Sequence, residues 1–200
     1  MKKIVVATQN RNKFSELQKE LSDLPLEIIP AFDFPGIPKI EEDGKTLEEN
    51  SFKKASISSK FTQLATLADD TGLYVDALDG QPGIYAARFA GENCSYADNV
   101  NKMLISLNGI PFAKRTATFR TVITIFVPGK SIKIARGEIK GFIATEIRGG
   151  GGFGYDPIFQ PLGKSQVFAE MTLEEKNAIS HRGLAVKKAK EMLLELINRE

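Results

Sequence analysis

Apolar and polar positions follow one another in blocks along the first part of the chain. Residues 4–7 are a short apolar run rich in β-branched side chains, which is typical of a strand buried on both faces. An amphipathic segment follows, with Asn12 as its predicted N-cap and Pro25 as its end, and residues 26–29 predict a second strand. This order of strand, helix and strand indicates an α/β protein.

Capping signals and periodicity predict the remaining elements. Thr46-Leu47-Glu48-Glu49 and Thr172-Leu173-Glu174-Glu175 have the pattern of capping boxes, so each predicts the start of a helix. The other predicted elements are helices over residues 96–107 and the C-terminal segment, short strands at 67–68 and 73–75, a long strand over 116–127 and its hairpin partner over 131–144. Loops over residues 30–40 and 77–95 separate these elements. Because no repeat or long linker divides the sequence, we expect one domain over residues 1–200.

Composition excludes several classes of protein. The 200 residues are 42% hydrophobic and 26% charged with a net charge of +2, so there is no strong field to attract a nucleic acid polymer or an anionic membrane. No apolar run is long enough to span a membrane or to form a signal peptide, and we expect a cytoplasmic protein. Cys94 and His181 are the only residues of their types, which excludes an internal disulfide and zinc sites built from several such ligands. A divalent metal would therefore be held mainly by oxygen, as Mg²⁺, Mn²⁺ and Ca²⁺ are.

Two polar segments follow predicted strands and are candidates for binding phosphate and metal. Residues 8–13 would present backbone N–H groups at a helix N-terminus together with the charge of Lys13, although an ordinary strand–helix turn has the same pattern. Asp69 and Asp70 end an apolar strand, where α/β proteins build sites, and a second acidic run covers residues 41–43. Two carboxylates from separate segments, with phosphate oxygens and waters, would satisfy octahedral Mg²⁺.

A glycine run over residues 149–152 matches neither a dinucleotide-binding nor a Walker motif. It is interpreted either as a flexible exit from the hairpin or as backbone that approaches a flat ligand, with Phe153 or Tyr155 stacking on that ligand. His181 lies at a predicted helix start, and no nucleophile elbow accompanies it, so a serine hydrolase triad is not predicted.

Six motifs occur together along the chain. In order they are Thr8-x-Asn10-x-x-Lys13, Glu41 ahead of Thr46-x-x-Glu49-Asn50-x-x-x-Lys54-Ala55, Asp69-Asp70-Thr71-Gly72, Pro82-Gly83-Ile84-Tyr85-x-Ala87-Arg88, Gly152-Phe153-Gly154-Tyr155-Asp156-Pro157 and Glu174-x-Lys176-x-x-Ile179-Ser180-His181-Arg182. Taken together, these motifs resemble the inosine triphosphate pyrophosphatase family. The resemblance covers nearly the whole chain, with Thr71 where serine is usual and Ser51 where alanine is common.

The resemblance implies a fold, an activity and a set of site residues. The fold would be α/β with two lobes, a long mixed and twisted sheet flanked by helices, and a nucleotide cleft between the lobes of a homodimer subunit. The activity would be hydrolysis of nonstandard purine nucleoside triphosphates between the α and β phosphates. Mg²⁺ would be held by Glu41 and Asp70, and Asp70 would also act as general base. The residues expected to contact substrate are Thr8, Gln9, Asn10, Arg11, Asn12, Lys13, Lys54, Thr71, Arg88, Phe153, Gly154, Tyr155, Asp156, Lys176, His181 and Arg182.

Within that set, cations and base-reading groups have different expected roles. The predicted phosphate ligands are Lys13, Lys54, Arg88 and Lys176. His181 and Arg182 would donate to the 6-oxo group of hypoxanthine or xanthine, Asp156 would accept from N1–H, and Phe153 would stack on the purine. Adenine presents the opposite hydrogen-bonding pattern and would leave these groups unpaired.

Two alternative functions remain open from the sequence. One is a related pyrophosphatase for modified pyrimidine nucleotides. The other is a nucleotide-binding module without catalysis, against which the metal-ligating carboxylates argue, since a module that only binds does not need them.

Overall fold

The computed structural model describes residues 1–198, which contain both strands and helices. Its strands are β1 (Lys3–Val6), β2 (Glu27–Pro30), β3 (Ala65–Val75), β4 (Pro82–Gly83), β5 (Thr116–Val127), β6 (Ser131–Ile143) and β7 (Phe159–Pro161). Its α-helices are α1 (Arg11–Leu21), α2 (Leu47–Thr62), α3 (Tyr96–Ser106), α4 (Leu173–Ile179) and α5 (His181–Asn198). Short 3₁₀ turns lie in the connecting segments.

The strands form one mixed sheet in the order β2-β1-β3-β5-β6-β7, with β4 paired to β3. β1 is parallel to both β2 and β3, with Val5 opposite Ile29 on one side and Thr66 on the other. β4 and β7 run antiparallel to their neighbours β3 and β6. The α/β fold class predicted from the sequence is confirmed.

The chain divides into two compact units, each with its own core. The first unit contains residues 1–70, residues 121–137 and the C-terminal helix from Gly183 onward. Its core is built from β1, α1, α5 and the parts of β3 and β5 that belong to this unit, and α1 buries Leu17 and Leu21 completely. Burial of this apolar stripe, rather than helix propensity, is the main source of stability for an 11-residue helix.

The second unit contains residues 71–120 and 138–182. Its core is aromatic around Phe119, whose ring lies 4.7 Å from that of Phe159, centroid to centroid. Arg115 is buried and donates hydrogen bonds to the carbonyls of Leu107, Ile110 and Ala144. The guanidinium therefore ties two carbonyl groups just beyond the end of α3 to one just beyond the end of β6 and supplies them with donors in a buried setting.

Most predicted elements are confirmed, but three local predictions are wrong. The loop predicted over residues 77–95 contains the two-residue strand β4, which pairs with β3. The helix predicted after Thr46 is α2, and the strands predicted over residues 116–127 and 131–144 are β5 and β6. The N-cap of α1 is Asn10 instead of Asn12, since the Asn10 side chain accepts hydrogen bonds from the first helical turn. β3 is one continuous strand instead of two short ones, because Asp69 and Asp70 are buried inside it with lysine partners.

Within residues 1–198, no helix combines the length and the apolar character needed to cross a membrane.

Candidate active site

The segment before α1 is folded by its own side chains. Asn10 donates its backbone N–H to Thr8 Oγ1 at 3.1 Å, and Asn10 Oδ1 accepts from the backbone N–H groups of Asn12 and Lys13 at 3.0 and 3.2 Å. These three amides are thus already bonded, so a phosphate here would meet side chains first. The side chains of Gln9, Arg11 and Asn12 are exposed.

Two buried aspartates on β3 are each paired with a lysine from a different helix. Asp69 Oδ2 lies 3.0 Å from the Nζ of Lys13 on α1, and Asp70 Oδ1 lies 2.9 Å from the Nζ of Lys54 on α2. Consecutive side chains of a strand point to opposite faces, which explains why the two carboxylates reach different helices. Both aspartates are nearly inaccessible, at 1% and 4% exposure.

Lys54 also contacts a glutamate from the loop before α2. Its Nζ lies 2.5 Å from Glu42 Oε1, so one ammonium group bridges Glu42 and Asp70. Asn50 supports the same arrangement, because its amide donates to Asp70 Oδ2 at 3.3 Å and accepts from the Gly44 N–H at 2.8 Å. We call Glu42, Asp69, Asp70, Lys13 and Lys54 the acidic–lysine cluster.

Glu41, the metal ligand expected from the sequence, is exposed and takes part in none of the hydrogen bonds or ion pairs found over residues 1–198. Its neighbour Glu42 is the glutamate that reaches Lys54.

Burial and charge shift the pKa values of this cluster in opposite directions. Burial raises the pKa of Asp70, and the attraction of Lys54 and Lys13 offsets this only in part. Burial alone would lower the pKa of Lys54, but Asp70 and Glu42 outweigh it and raise the pKa of that ammonium well above its ordinary value. For Glu42, burial acts to raise the pKa, but the attraction of Lys54 outweighs it, so the pKa is lowered overall. The cluster thus contains a firmly charged lysine next to a carboxylate that is more basic than usual.

The donor set of the cluster is suited to a hard divalent cation. Carboxylate oxygens are the ligands that Mg²⁺ prefers, and no cysteine or histidine belongs to the cluster. Over the described part of the chain, no group of three or more His, Cys, Asp or Glu residues is arranged to hold a metal ion. A cation bound here would therefore take further oxygens from water or from a ligand.

The second unit contains a separate buried cluster around Asp156. Asp156 Oδ2 accepts from Lys176 Nζ at 2.6 Å and from the Phe153 N–H at 2.9 Å. Lys176 Nζ lies 5.0 Å from the centroid of the Phe153 ring, a cation–π geometry, and Asp156 and Lys176 are 4% and 3% exposed. Lys176, expected from the sequence to bind phosphate, thus contacts residues expected to read the base.

Arg182 and His181 extend this cluster at the start of α5. The Arg182 guanidinium lies 5.3 Å from the Phe153 ring centroid, and its Nη2 lies 3.5 Å from Thr71 Oγ1. The His181 ring is stacked on Phe119, with centroids 4.3 Å apart and planes 8° from parallel. We call Thr71, Phe153, Asp156, Lys176, His181 and Arg182 the aromatic–ionic cluster. It offers a partly exposed ring flanked by two cations, an arrangement suited to a flat, polar ligand.

Three further residues predicted to contact substrate belong to neither of the two clusters. Tyr155 is buried in the core of the second unit, where its hydroxyl donates to the Ala86 carbonyl at 2.9 Å, and burial raises the pKa of this phenol. Arg88 is half-buried, with its guanidinium 5.0 Å from the Tyr85 ring centroid. Gly154 has a positive φ of +65°, and no atom lies within 4 Å of the position that a Cβ would take there.

Sequence reasoning missed four residues of these clusters or their surroundings. They are Glu42, Asn50, Tyr96 (its ring is 5.8 Å from that of Phe153) and Phe119. A signal existed for Phe119, because it lies on the inward face of a strand whose alternation was clear.

The fold is a mixed-sheet α/β fold, and each unit contains one buried charged cluster: lysines and carboxylates in the first unit, and an aromatic ring with cations in the second. Residues 4–192 match the sequence model of the Ham1 family. A protein of Geobacter sulfurreducens named dITP/XTP pyrophosphatase is 48% identical over 193 residues, which cover 96% of this chain and 97% of that protein. A Bacillus cereus protein of the same name is 45% identical over 197 residues, covering 98% of this chain and 96% of its own.

Solved structures agree with the sequence match. A HAM1 protein from Coxiella burnetii gives a TM-score of 0.87 at 41% identity, covering 98% of this chain and 100% of the other. The Ham1 protein of Staphylococcus aureus gives 0.85 at 36% identity, covering 97% and 99% of the two chains. The chain belongs to the Ham1 family.

Proposed function

We propose that this protein hydrolyses nonstandard purine nucleoside triphosphates, dITP and XTP in particular, to the nucleoside monophosphate and pyrophosphate. The observation that carries the proposal is the pairing of two buried carboxylates, Asp70 with the buried Lys54 and Asp69 with the half-buried Lys13. The names of the relatives from Geobacter sulfurreducens and Bacillus cereus point to the same activity. A protein that only bound nucleotides would have no need for a buried carboxylate of raised pKa.

The lysines of the acidic–lysine cluster would bind the triphosphate. Lys13 and Lys54 each carry a full positive charge close to a carboxylate, so they are ordered before the substrate arrives. A triphosphate carries about four negative charges and would compete with those carboxylates for the ammonium groups. Arg88 remains a predicted third cation for the phosphates.

The carboxylates would hold Mg²⁺, and the structure favours Glu42 over Glu41 as the partner of Asp70. Glu42 and Asp70 both contact Lys54 Nζ, whereas Glu41 is exposed and outside the network. When bound, Mg²⁺ would neutralise part of the charge on the triphosphate and on the departing pyrophosphate.

Asp70 is the proposed general base. Burial raises its pKa, which makes the ionised carboxylate a stronger base than an exposed aspartate. Asp70 would orient a water and take its proton as the water oxygen attacks the α-phosphorus. The bond from that phosphorus to the oxygen bridging the α and β phosphates breaks, and pyrophosphate leaves with the electron pair.

The aromatic–ionic cluster is the proposed site of base selection. Phe153 would stack on the purine, Arg182 and His181 would donate to its 6-oxo group, and Asp156 would accept from N1–H. Lys176 contacts Asp156 at 2.6 Å and would hold this carboxylate in place. Adenine, with an acceptor at N1 and an amino group at C6, would leave these groups unpaired.

The assembly and location follow from the resemblance and the substrate. We propose that the protein forms a homodimer and acts on the nucleotide pool of the cytoplasm. Sedimentation equilibrium tests the first point, because a monomer at micromolar concentration would contradict it.

A panel of nucleotides tests the function. Mg²⁺-dependent release of pyrophosphate is measured with dITP, XTP, dATP, dGTP, dUTP and a methylated pyrimidine triphosphate. We expect dITP and XTP to be preferred; preference for the pyrimidines would instead identify the related pyrophosphatase. The Asp70→Asn variant should bind dITP but lose turnover, and near-normal turnover would remove Asp70 from the chemistry. Binding of nucleotide without pyrophosphate release from any substrate would favour a binding module.

A further inference from the structure

One glycine of the run before Phe153 lies against the carboxylate of the aromatic–ionic cluster. Gly152 has a left-handed φ of +70°, and a Cβ added there would lie 2.1 Å from Asp156 Oδ2 and 2.9 Å from Asp156 Cγ. Real Cβ atoms do not approach other atoms so closely, so either the carboxylate or the loop would have to move. The Asp156 carboxylate therefore occupies the space that a side chain at residue 152 would fill.

In that space Asp156 is held from several sides. Its Oδ2 accepts from the Phe153 N–H at 2.9 Å and from Lys176 Nζ at 2.6 Å. Its backbone carbonyl accepts from the Ala169 N–H at 3.1 Å. The Phe153 amide immediately follows Gly152 in the chain. A shift of Gly152 therefore moves the Phe153 N–H that donates to Asp156 and also the Cα from which the Phe153 ring extends.

We propose that Gly152 is a positioning residue for base selection, acting through the orientation of Asp156. This inference rests on the proposed function and deepens it, since it names a specificity-determining position that contacts no substrate. A carboxylate that accepts a hydrogen bond from N1–H at the edge of a purine must present its oxygen at a fixed angle, because hydrogen bonds weaken steeply as their geometry departs from linear. Displaced by a methyl group, Asp156 would no longer meet N1–H in line, and hypoxanthine would lose its advantage over adenine.

The left-handed backbone at Gly152 does not by itself explain this role. Gly163 has a comparable φ of +78° with no atom within 4 Å of an added Cβ, so a substitution there strains the backbone and touches nothing. Gly150 belongs to the same run as Gly152, and an added Cβ there also meets open space. Only at Gly152 would the added atom strike the Asp156 carboxylate.

The test compares Gly152→Ala with two alanine controls, Gly163→Ala for backbone strain and Gly150→Ala for the loop. The readout is the ratio of kcat/KM for dITP to kcat/KM for dATP, together with the melting temperature. We expect Gly152→Ala to lower the ratio by at least about tenfold, mainly through KM for dITP, because a misaligned polar group loses much of its discrimination. Both controls should keep the ratio of the unchanged protein.

A double variant separates positioning from a general structural effect. Asp156→Ala alone should lower the ratio, and adding Gly152→Ala to it should lower the ratio no further, since the group that Gly152 positions is gone. If Gly152→Ala alone does not fold, the double variant should fold, because the atoms that collide have been removed.

Several results would overturn the inference. They are an unchanged ratio in Gly152→Ala, an equal additional loss in the Asp156→Ala background, and failure of both the single and the double variant to fold. The last would show that Gly152 serves the backbone alone. Failure of the proposed function looks different, because the unchanged protein would then show no preference for dITP over dATP.

Discussion

Lys54 offers the sharpest test of the acidic–lysine cluster, because its neighbour Lys53 is a matched control. Lys54 Nζ lies 2.5 Å from Glu42 and 2.9 Å from Asp70, and its side chain is 10% exposed. Lys53, on the same helix, pairs with Asp43 at 2.6 Å but is 34% exposed, with Asp43 65% exposed. Replacing each lysine by methionine keeps the length of the side chain and removes the charge.

The expected cost follows from burial. Removing one partner of a buried ion pair costs about 3–5 kcal/mol, because the remaining charge stays buried without compensation. Glu42 is 33% exposed and regains some hydration, so the lower part of that range applies. For a chain of this size each kcal/mol changes the melting temperature by about 2–4 °C, which gives a fall of about 6–16 °C for Lys54→Met. The exposed pair of Lys53 contributes little, and Lys53→Met should change the melting temperature only slightly.

The loss of stability in Lys54→Met should also depend on pH, and it should grow as the pH rises. Without Lys54, the pKa of Asp70 in the folded protein rises further above its unfolded value of 3.8. A carboxyl whose folded pKa is raised destabilises the folded state progressively as pH rises above the unfolded pKa. Glu42 acts in the same direction, since its lowered pKa contributes stability at neutral pH that Lys54→Met removes. The gap between Lys54→Met and the unchanged protein should therefore widen from about pH 4 to pH 7.

Thermal melts over that pH range check these expectations. Mg²⁺ without nucleotide should raise the melting temperature of Lys54→Met more than that of the unchanged protein, because the variant lacks the ammonium group that contacts both Glu42 and Asp70. A deficit no larger than that of Lys53→Met, or one that does not vary with pH, would refute the reasoning that the pair is buried and coupled.

Three other predictions concern catalysis. Glu42→Gln should raise the Mg²⁺ concentration for half-maximal activity by at least about tenfold while Glu41→Gln leaves it nearly unchanged, and a Mg²⁺ titration that gave the reverse would restore Glu41 as the ligand. Arg182→Ala should narrow the gap in kcat/KM between dITP and dATP; an equal fall for both would make Arg182 a phosphate ligand or a structural residue. Phe119→Leu should raise KM for dITP more than it lowers kcat, because it removes the ring on which His181 is stacked, and a change in melting temperature alone would argue for a packing role.

Sequence patterns predicted the elements whose burial is periodic. β5 alternates clearly in its first half, and its odd-numbered positions from Ala117 to Val127 are buried. α2 begins where the Thr46 capping signal predicts, with Thr46 Oγ1 accepting from the Glu49 N–H at 3.1 Å. In both cases neighbouring residues along the chain decide the structure, so a short stretch of sequence is enough to predict the element.

Contacts between distant residues decided the features that were mispredicted. Two adjacent aspartates followed by Thr71 and Gly72 are typical of a loop, and they lie in a strand only because lysines from α1 and α2 neutralise the aspartates there. Glu42 reaches Lys54 because of how the loop lies against α2, which no local pattern encodes, while the metal-ligand role of Glu41 stays a prediction. The site residues that the motifs did bring together, such as Asp156 and Lys176, are 20 positions apart and were found through the family resemblance.

The adjacent residues Asp69 and Asp70, whose side chains point to opposite faces of β3, affect how this strand is aligned in the sheet. Residues 65–70 are buried throughout, so hydrophobicity alone does not distinguish the observed alignment, Val5 opposite Thr66, from one displaced by a single residue. A displacement of one residue in either direction would put one aspartate in the place of the other, so one lysine would still face a carboxylate while the second faced Ala68 or Thr71. The charges proposed for catalysis thus also encode strand alignment, and an engineer who neutralised both pairs would remove the feature that makes one alignment better than its neighbour.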